Sequence, residues 1–240
     1  MDSKIKYMPK SPAVNAKQIV KKLSVTIQDK YNQSSENYWL RGLIQGVPAV
    51  GGTLDTWFFQ FAEKEKQKRV ESALKAFTKR ISNIEDQIDV EYIEQHIEEY
   101  AFLFEKFLKY VSQEYRVNLR RKFVNLMSNL STKEYSKQQN KDVFLSKLSE
   151  LTPEHLVVLQ LAYNYTFTDG KQDYEKTKTV KEYIVKELRE KGLEEAIIYA
   201  ILTDLQSKGL INETYHPTFG GGLYTYHVTA LAVAILKLVG

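Results

Sequence analysis

The chain of 240 residues contains no cysteine. That excludes disulfides, thiolate metal centres and cysteine nucleophiles together, and it fits a reducing, cytoplasmic setting. Histidine is scarce. His96, His155, His216 and His227 are scattered, with no HxxxH or HxxE set on one helical face. A pair across a hairpin, His216 and His227, lacks the third ligand that a zinc site needs. No serine stands in a GxSxG setting, and the carboxylates of IEDQIDVEYIEQHIEE read as a solvated helix face. The sequence therefore gives no catalytic residue, no metal site and no cofactor, and a non-enzymatic role is expected. No run approaches the roughly 20 apolar residues that a spanning helix requires. The opening MDSKIKYMPKSPAVNAKQIVKKL is basic without an apolar centre, so it does not read as a secretory signal.

What the chain has instead is charge and aromatics, with 16 Tyr and 11 Phe. The charge is uneven. Residues 1–149 hold 25 Lys or Arg against 18 Asp or Glu, whereas residues 150–240 hold 9 against 12. Any attraction to polyanions belongs to the first part, and the asymmetry suggests two modules.

The first 15 residues, interrupted by Pro9 and Pro12, read as a flexible arm. A helical bundle domain is expected over 16–142. Ile19, Leu23, Ile27 and Tyr31 mark a basic helix, and a second runs from Thr53 or Asp55 to about Gln87 on Phe58, Phe61, Val70, Leu74, Phe77, Ile81 and Ile84. From Val90 to Leu130 apolar residues recur every three or four positions. That pattern predicts one long amphipathic helix, or two joined by a kink, packed in a bundle. STKEYSKQQNKD at 131–142 is a polar connector.

A second module is expected over 143–240. Thr152-Pro153 starts a helix with Pro at its first position. Helices over about 179–191 and 194–208 follow, then LINETYHPTFGGGLYTYHVT as two strands around a turn, then a helix from about Ala230 to Leu238. The order helix, helix, turn, helix, two-stranded wing, helix is that of a winged helix-turn-helix domain. The fold class expected is thus mainly α, an amino-terminal bundle with a small winged-helix-like module.

Such a module commonly reads DNA through the helix after the turn. Here that helix, LEEAIIYAILTDLQSKG, offers Glu194, Glu195 and Asp204 against one Lys208, and HPTFGGG in the wing has no cation. Carboxylates repel phosphates, so a protein-contact module is favoured over a DNA reader. Lys178, Lys181, Lys186 and Arg189 could still touch a backbone, and the last three are the candidate nucleic-acid contacts.

GLIQGVPAVGGTLD at 42–55 is the least helix-like stretch. It lacks the Lys-Ser/Thr ending of a phosphate loop. Its apolar character, flanked by Trp39, Trp57, Phe58 and Phe59, suits membrane contact after a trigger, but it is too short to span. A close-packed interhelical turn is the favoured reading, with Gly46, Pro48, Gly51, Gly52 and the capping Asp55 as the candidate interaction or conformational segment.

One resemblance joins these parts. RRKFVNLMSNL, a polar gap, then FLSKLSELTPEHLVVLQLAY resembles the central pattern of bacterial abortive-infection alpha proteins. The positions that match are Arg120, Leu126, Phe144, Leu148, Leu151, Thr152 and Pro153, within residues 115–165, and the likeness extends loosely to the end. The resemblance implies a non-enzymatic role in defence against phage, with a winged-helix-like carboxy-terminal region and no catalytic residues. The expected partner is a protein or a second copy of the chain; a DNA-binding regulator and a triggered membrane-active effector are the alternatives.

Overall fold

The computed structural model describes residues 61–218 and 221–240. The arm, the first basic helix and the glycine-rich segment with Gly46, Pro48, Gly51, Gly52 and Asp55 lie outside the described residues. What is described is mainly helical, with a small two-stranded antiparallel sheet near the carboxy terminus.

Five helices form the first layer of packing: α1 (Phe61–Asn83), α2 (Val90–Gln95), α3 (Ile97–Gln113), α4 (Val117–Leu130) and α5 (Lys141–Ser149). α1 lies against α3 and α4, and α5 packs back on the same two helices. The apolar stripe of α1, Val70, Leu74, Phe77 and Ile81, is buried against Tyr100, Phe104, Phe107 and Val111 of α3. Phe77, Phe104 and Phe107 form a ring cluster with centroids 5.6 to 5.8 Å apart. Such spacing is that of attractive aromatic pairs, beyond the large apolar area each ring removes from water.

The stretch from Val90 to Leu130, expected as one long helix or two joined by a kink, is in fact three helices. The first break is at His96, the second at Glu114–Arg116. At the second, polar side chains end the helix. Glu114 accepts hydrogen bonds from the Arg116 backbone N–H and guanidinium, all at 2.8 Å. Arg120 donates to the carbonyls of Glu114 and Tyr115, and Arg69 to those of Ser112 and Gln113. Two guanidinium groups thus satisfy carbonyls that a helix leaves unpaired at its end. Arg120, one of the positions in the family resemblance, is a capping residue in this structure. α1 likewise stops at Asn83, before a 3-10 turn at Glu85–Gln87. The connector after α4 returns to that turn, where Asp89 N donates to Ser131 O and Lys133 N to Gln87 O.

The second half consists of α6 (Pro153–Thr166), a two-residue pair β1 (Phe167–Thr168) and β2 (Lys171–Gln172), α7 (Tyr174–Thr177), α8 (Val180–Glu190), α9 (Glu195–Ser207), the hairpin β3 (Ile211–Thr218) and β4 (Gly221–Val228), and α10 (Ala230–Val239). β3 and β4 pair antiparallel from Ile211↔Val228 to Thr218↔Gly221. α6 opens as expected, with Pro153 at its first position. Thr152 and His155 form a reciprocal capping box around it. α8 and α9 both end on a left-handed glycine. Gly192 (φ 85) and Gly209 (φ 70) let Leu193 N and Leu210 N reach back to the carbonyls of Leu188 and Leu205. This is the Schellman ending, and it turns the chain sharply into the next element each time.

α10 joins the two halves. It packs on both α4 and α6. Lys122, Asn125 and Asn129, successive on one face of α4, donate to the carbonyls of Val239, Gly240 and Leu238.

Candidate functional site

A concave surface lies on the outer face of α8, beside α9. It is an open cleft of about 650 Å³ lined by Lys181, Glu182, Val185, Lys186, Arg189, Glu190 and Tyr199. The helical repeat explains the set. Val180, Ile184 and Leu188 face the core at i, i+4, i+8, which turns the charged residues between them outward. The three candidate cations, Lys181, Lys186 and Arg189, are therefore brought to one face, as their spacing requires. The same rotation brings Glu182 and Glu190 among them.

Each cation has its own surroundings. The Lys181 ammonium stands 5.2 Å from the Tyr199 ring centre and 5.1 Å from that of Tyr226, within cation–π range of both. Arg189 forms an ion pair with Glu195 at 3.1 Å, both side chains about half exposed. Tyr226 donates a short hydrogen bond to Glu213, its neighbour across the hairpin. Burial first, then that carboxylate, raises the Tyr226 phenol above its ordinary range, so it remains a neutral donor at physiological pH.

The face that α9 turns to solvent bears no cation, and its carboxylates, Glu195 and the half-exposed Asp204, stand at its edges. Ala196, Ile197, Tyr199, Ala200, Thr203 and Gln206 are exposed, while Ile198, Ile201, Leu202 and Leu205 are buried. Ile197 is 49% exposed, a high value for so large an apolar side chain. Further out on the hairpin, Tyr215 and Tyr224 are opposite each other in the register, their ring centres 5.0 Å apart and both rings about half exposed.

The remaining titratable clusters read as structure. His155 Nδ1 accepts from Thr152 N at 3.0 Å. Its Nε2 is 2.9 Å from Asp204 Oδ2, off the line that a full hydrogen bond needs. Burial lowers the His155 pKa against the opposing pull of Asp204. His216 and His227 do meet on one face of the hairpin. Their Nε2 atoms lie 3.1 and 2.9 Å from Thr225 Oγ1, and Tyr174 packs against both rings. The hydroxyl stands between the two nitrogens. Among the described residues no group of three or more His, Cys, Asp or Glu could hold a metal ion, and no helix is long and apolar enough to cross a membrane.

Glu182, Glu190 and Tyr199 were not among the residues singled out from sequence, although the period of α8 could have found the two carboxylates. Tyr226 reaches Lys181 only through the placement of the hairpin, which no local pattern encodes.

No protein-family model matches the chain, and no curated protein and no solved structure shows significant similarity to it.

Proposed function

We propose that the protein is a non-enzymatic interaction module. In this reading the second half is a winged helix-turn-helix-like unit that contacts protein through α8, α9 and the hairpin. The order α6, α8, α9, β3–β4, α10 supports the architecture. One observation carries the function: the exposed face of α9, which in a DNA-reading winged helix would enter the major groove, bears no Lys or Arg. Duplex affinity rests on cations set against phosphates. An exposed Ile and three exposed Tyr suit a protein interface, where aromatic side chains are enriched and charge is depleted at the centre. The cations of the neighbouring cleft do not reverse this, because Glu182, Glu190 and Glu195 stand among them. Under this proposal the partner is one met in defence against phage, as the resemblance over residues 115–165 implies.

The test is to compare the full chain with its Ile197→Asp variant in two assays. One is fluorescence anisotropy with labelled duplex DNA across a salt series. The other is photo-crosslinking from position 199 in bacterial lysate, with and without nuclease. A nuclease-resistant protein adduct lost in Ile197→Asp supports the reading. Salt-dependent duplex binding that Lys186→Ala and Arg189→Ala weaken and Ile197→Asp does not would overturn it in favour of a DNA-binding regulator.

A further inference from the structure

Helix α1 carries seven Lys or Arg against three Glu, and its net of +4 equals the formal charge of the whole chain. The helical repeat sorts those cations. Val70, Ala73, Leu74, Phe77 and Ile81 are buried on the side that packs on α3 and α4. On the opposite side Lys64, Lys68, Lys75 and Lys79 are all exposed, and they fall within about 60° of one another on the helical wheel. The stripe they form is about 22 Å long. Two carboxylates flank it: Glu65 pairs with Lys68 at 2.7 Å, and Glu71 accepts from Gln67. Lys75 and Lys79 have no ion pair among the described residues. The two arginines of the helix are spent inside the bundle. Arg69 donates to the carbonyls of Ser112 and Gln113, and Arg80 to Asn129 Oδ1.

We propose that this lysine stripe is a docking surface for an anionic phospholipid membrane, along which α1 lies without crossing it. Lysines near such a surface are drawn by its diffuse negative potential, and each adds to the attraction. An arginine fork matches individual phosphates, whereas a lysine acts as a point charge. With Arg69 and Arg80 turned inward, the stripe offers lysines alone, which suits a lipid leaflet better than the fixed phosphate spacing of a nucleic acid. The sequence points the same way. Trp57, Phe58 and Phe59 come just before α1 in the chain, and aromatic side chains are enriched where lipid meets water. The stripe faces away from α3 and α4, so nothing in the bundle has to move for the helix to meet a flat surface. It also stands on a different element from the α8–α9 contact proposed above, and either can fail without the other.

Co-sedimentation of the full chain with phospholipid vesicles tests this. One set is phosphatidylcholine alone and the other contains about one third phosphatidylserine, each at low and high salt. The chain is expected to bind the phosphatidylserine vesicles, more weakly as salt rises, and to leave phosphatidylcholine alone. A surface lysine contributes about fivefold to such binding, so K75Q/K79Q should weaken it about 25-fold. Glutamine is a good helix former and both positions are exposed, so the fold is kept. K171Q/K191Q removes the same charge from exposed positions in the second half and should bind as the wild type does. No binding to phosphatidylserine vesicles overturns the proposal, and so does equal binding to the two sets. An equal loss in K171Q/K191Q overturns it too, because the attraction then belongs to net charge and not to the stripe. Duplex DNA that competes the chain off the vesicles at lower phosphate concentration, and whose binding K75Q/K79Q also loses, makes the stripe a nucleic-acid surface and refutes the lipid.

Discussion

Lys141 is the only lysine whose side chain is buried among the described residues, at 2% exposure, and it makes a sharp test of what holds α5 to the bundle. Its ammonium lies 2.8 Å from Glu99 Oε1 on α3 and faces the rings of Tyr92 and Tyr100 at 5.1 and 5.4 Å. Glu99→Gln keeps shape and an acceptor but removes the counter-charge. Breaking a fully buried pair costs about 3–5 kcal/mol, because the remaining ion is left desolvated and uncompensated. The Glu99 side chain is still 38% exposed, so its carboxylate is partly hydrated and the loss should be smaller, about 2 kcal/mol. In a folded unit of this size that is a fall of roughly 4–8 °C in Tm. Lys141→Met removes the ion itself while filling nearly the same space, and should stay within about 1 kcal/mol of wild type. The double variant E99Q/K141M should then match K141M, giving a coupling of about 2 kcal/mol between the two sites. Urea unfolding of all four chains, followed by far-ultraviolet circular dichroism, closes the cycle. If Lys141→Met loses as much as Glu99→Gln, or the two losses simply add, the pair is not what fixes α5 and the reasoning fails.

Three further outcomes follow from single contacts. Tyr100→Phe should cost about 1–2 kcal/mol in the same urea assay, since its buried hydroxyl donates to Leu130 O at 2.8 Å and ties α3 to the end of α4; no change would mean that carbonyl finds another donor. Gly209→Ala meets no atom but must hold φ near 70°, so it should cost about 1–2 kcal/mol through backbone strain alone. Stability should also fall as pH drops below 6.5. Burial depresses the folded-state pKa of His155 and of His227, so the unfolded chain binds protons first; their contribution is fully present above the ordinary histidine pKa and is lost on descending towards the folded values. His155→Gln keeps a capping-box side chain at that position and removes one titration, so its stability should fall less steeply between pH 6.5 and 5; an unchanged slope assigns the effect elsewhere.

How much of this fold was legible depended on whether local chemistry or distant packing decided each element. The second half reads almost directly, because its boundaries are marked by residues with one physical use: Thr152-Pro153 to open α6, Gly192 and Gly209 to close α8 and α9. The first half hid its turns. Between α3 and α4 the segment QEYR has neither Pro nor Gly, and the apolar period runs on through it. The break is made by Arg69 and Arg120, which supply side-chain donors to the carbonyls ending α3. Arg69 comes from 43 residues away. Periodicity reports which face is buried, and both sides of that turn bury the same kind of face, so the pattern could not show that the chain reverses.

The candidate site shows the same division. Lys181, Lys186 and Arg189 were found because cations were sought, and the period of α8 does bring them together. Seeking one sign of charge concealed the property of the face that matters most. The rotation of α8, fixed by burial of Val180, Ile184 and Leu188, sets Glu182 about 20° from Arg189 on the helical wheel, so a carboxylate stands at the centre of the same face as the cations. A patch of three cations argues for a polyanion, whereas the same patch with its two carboxylates counted argues for a partner that carries both signs. The net charge of the chain cannot distinguish these, because it is blind to position. The reversal pair Glu182→Arg and Arg189→Glu can: for a polyanion the first should strengthen binding and the second weaken it, while for a partner that carries both signs each alone should weaken it.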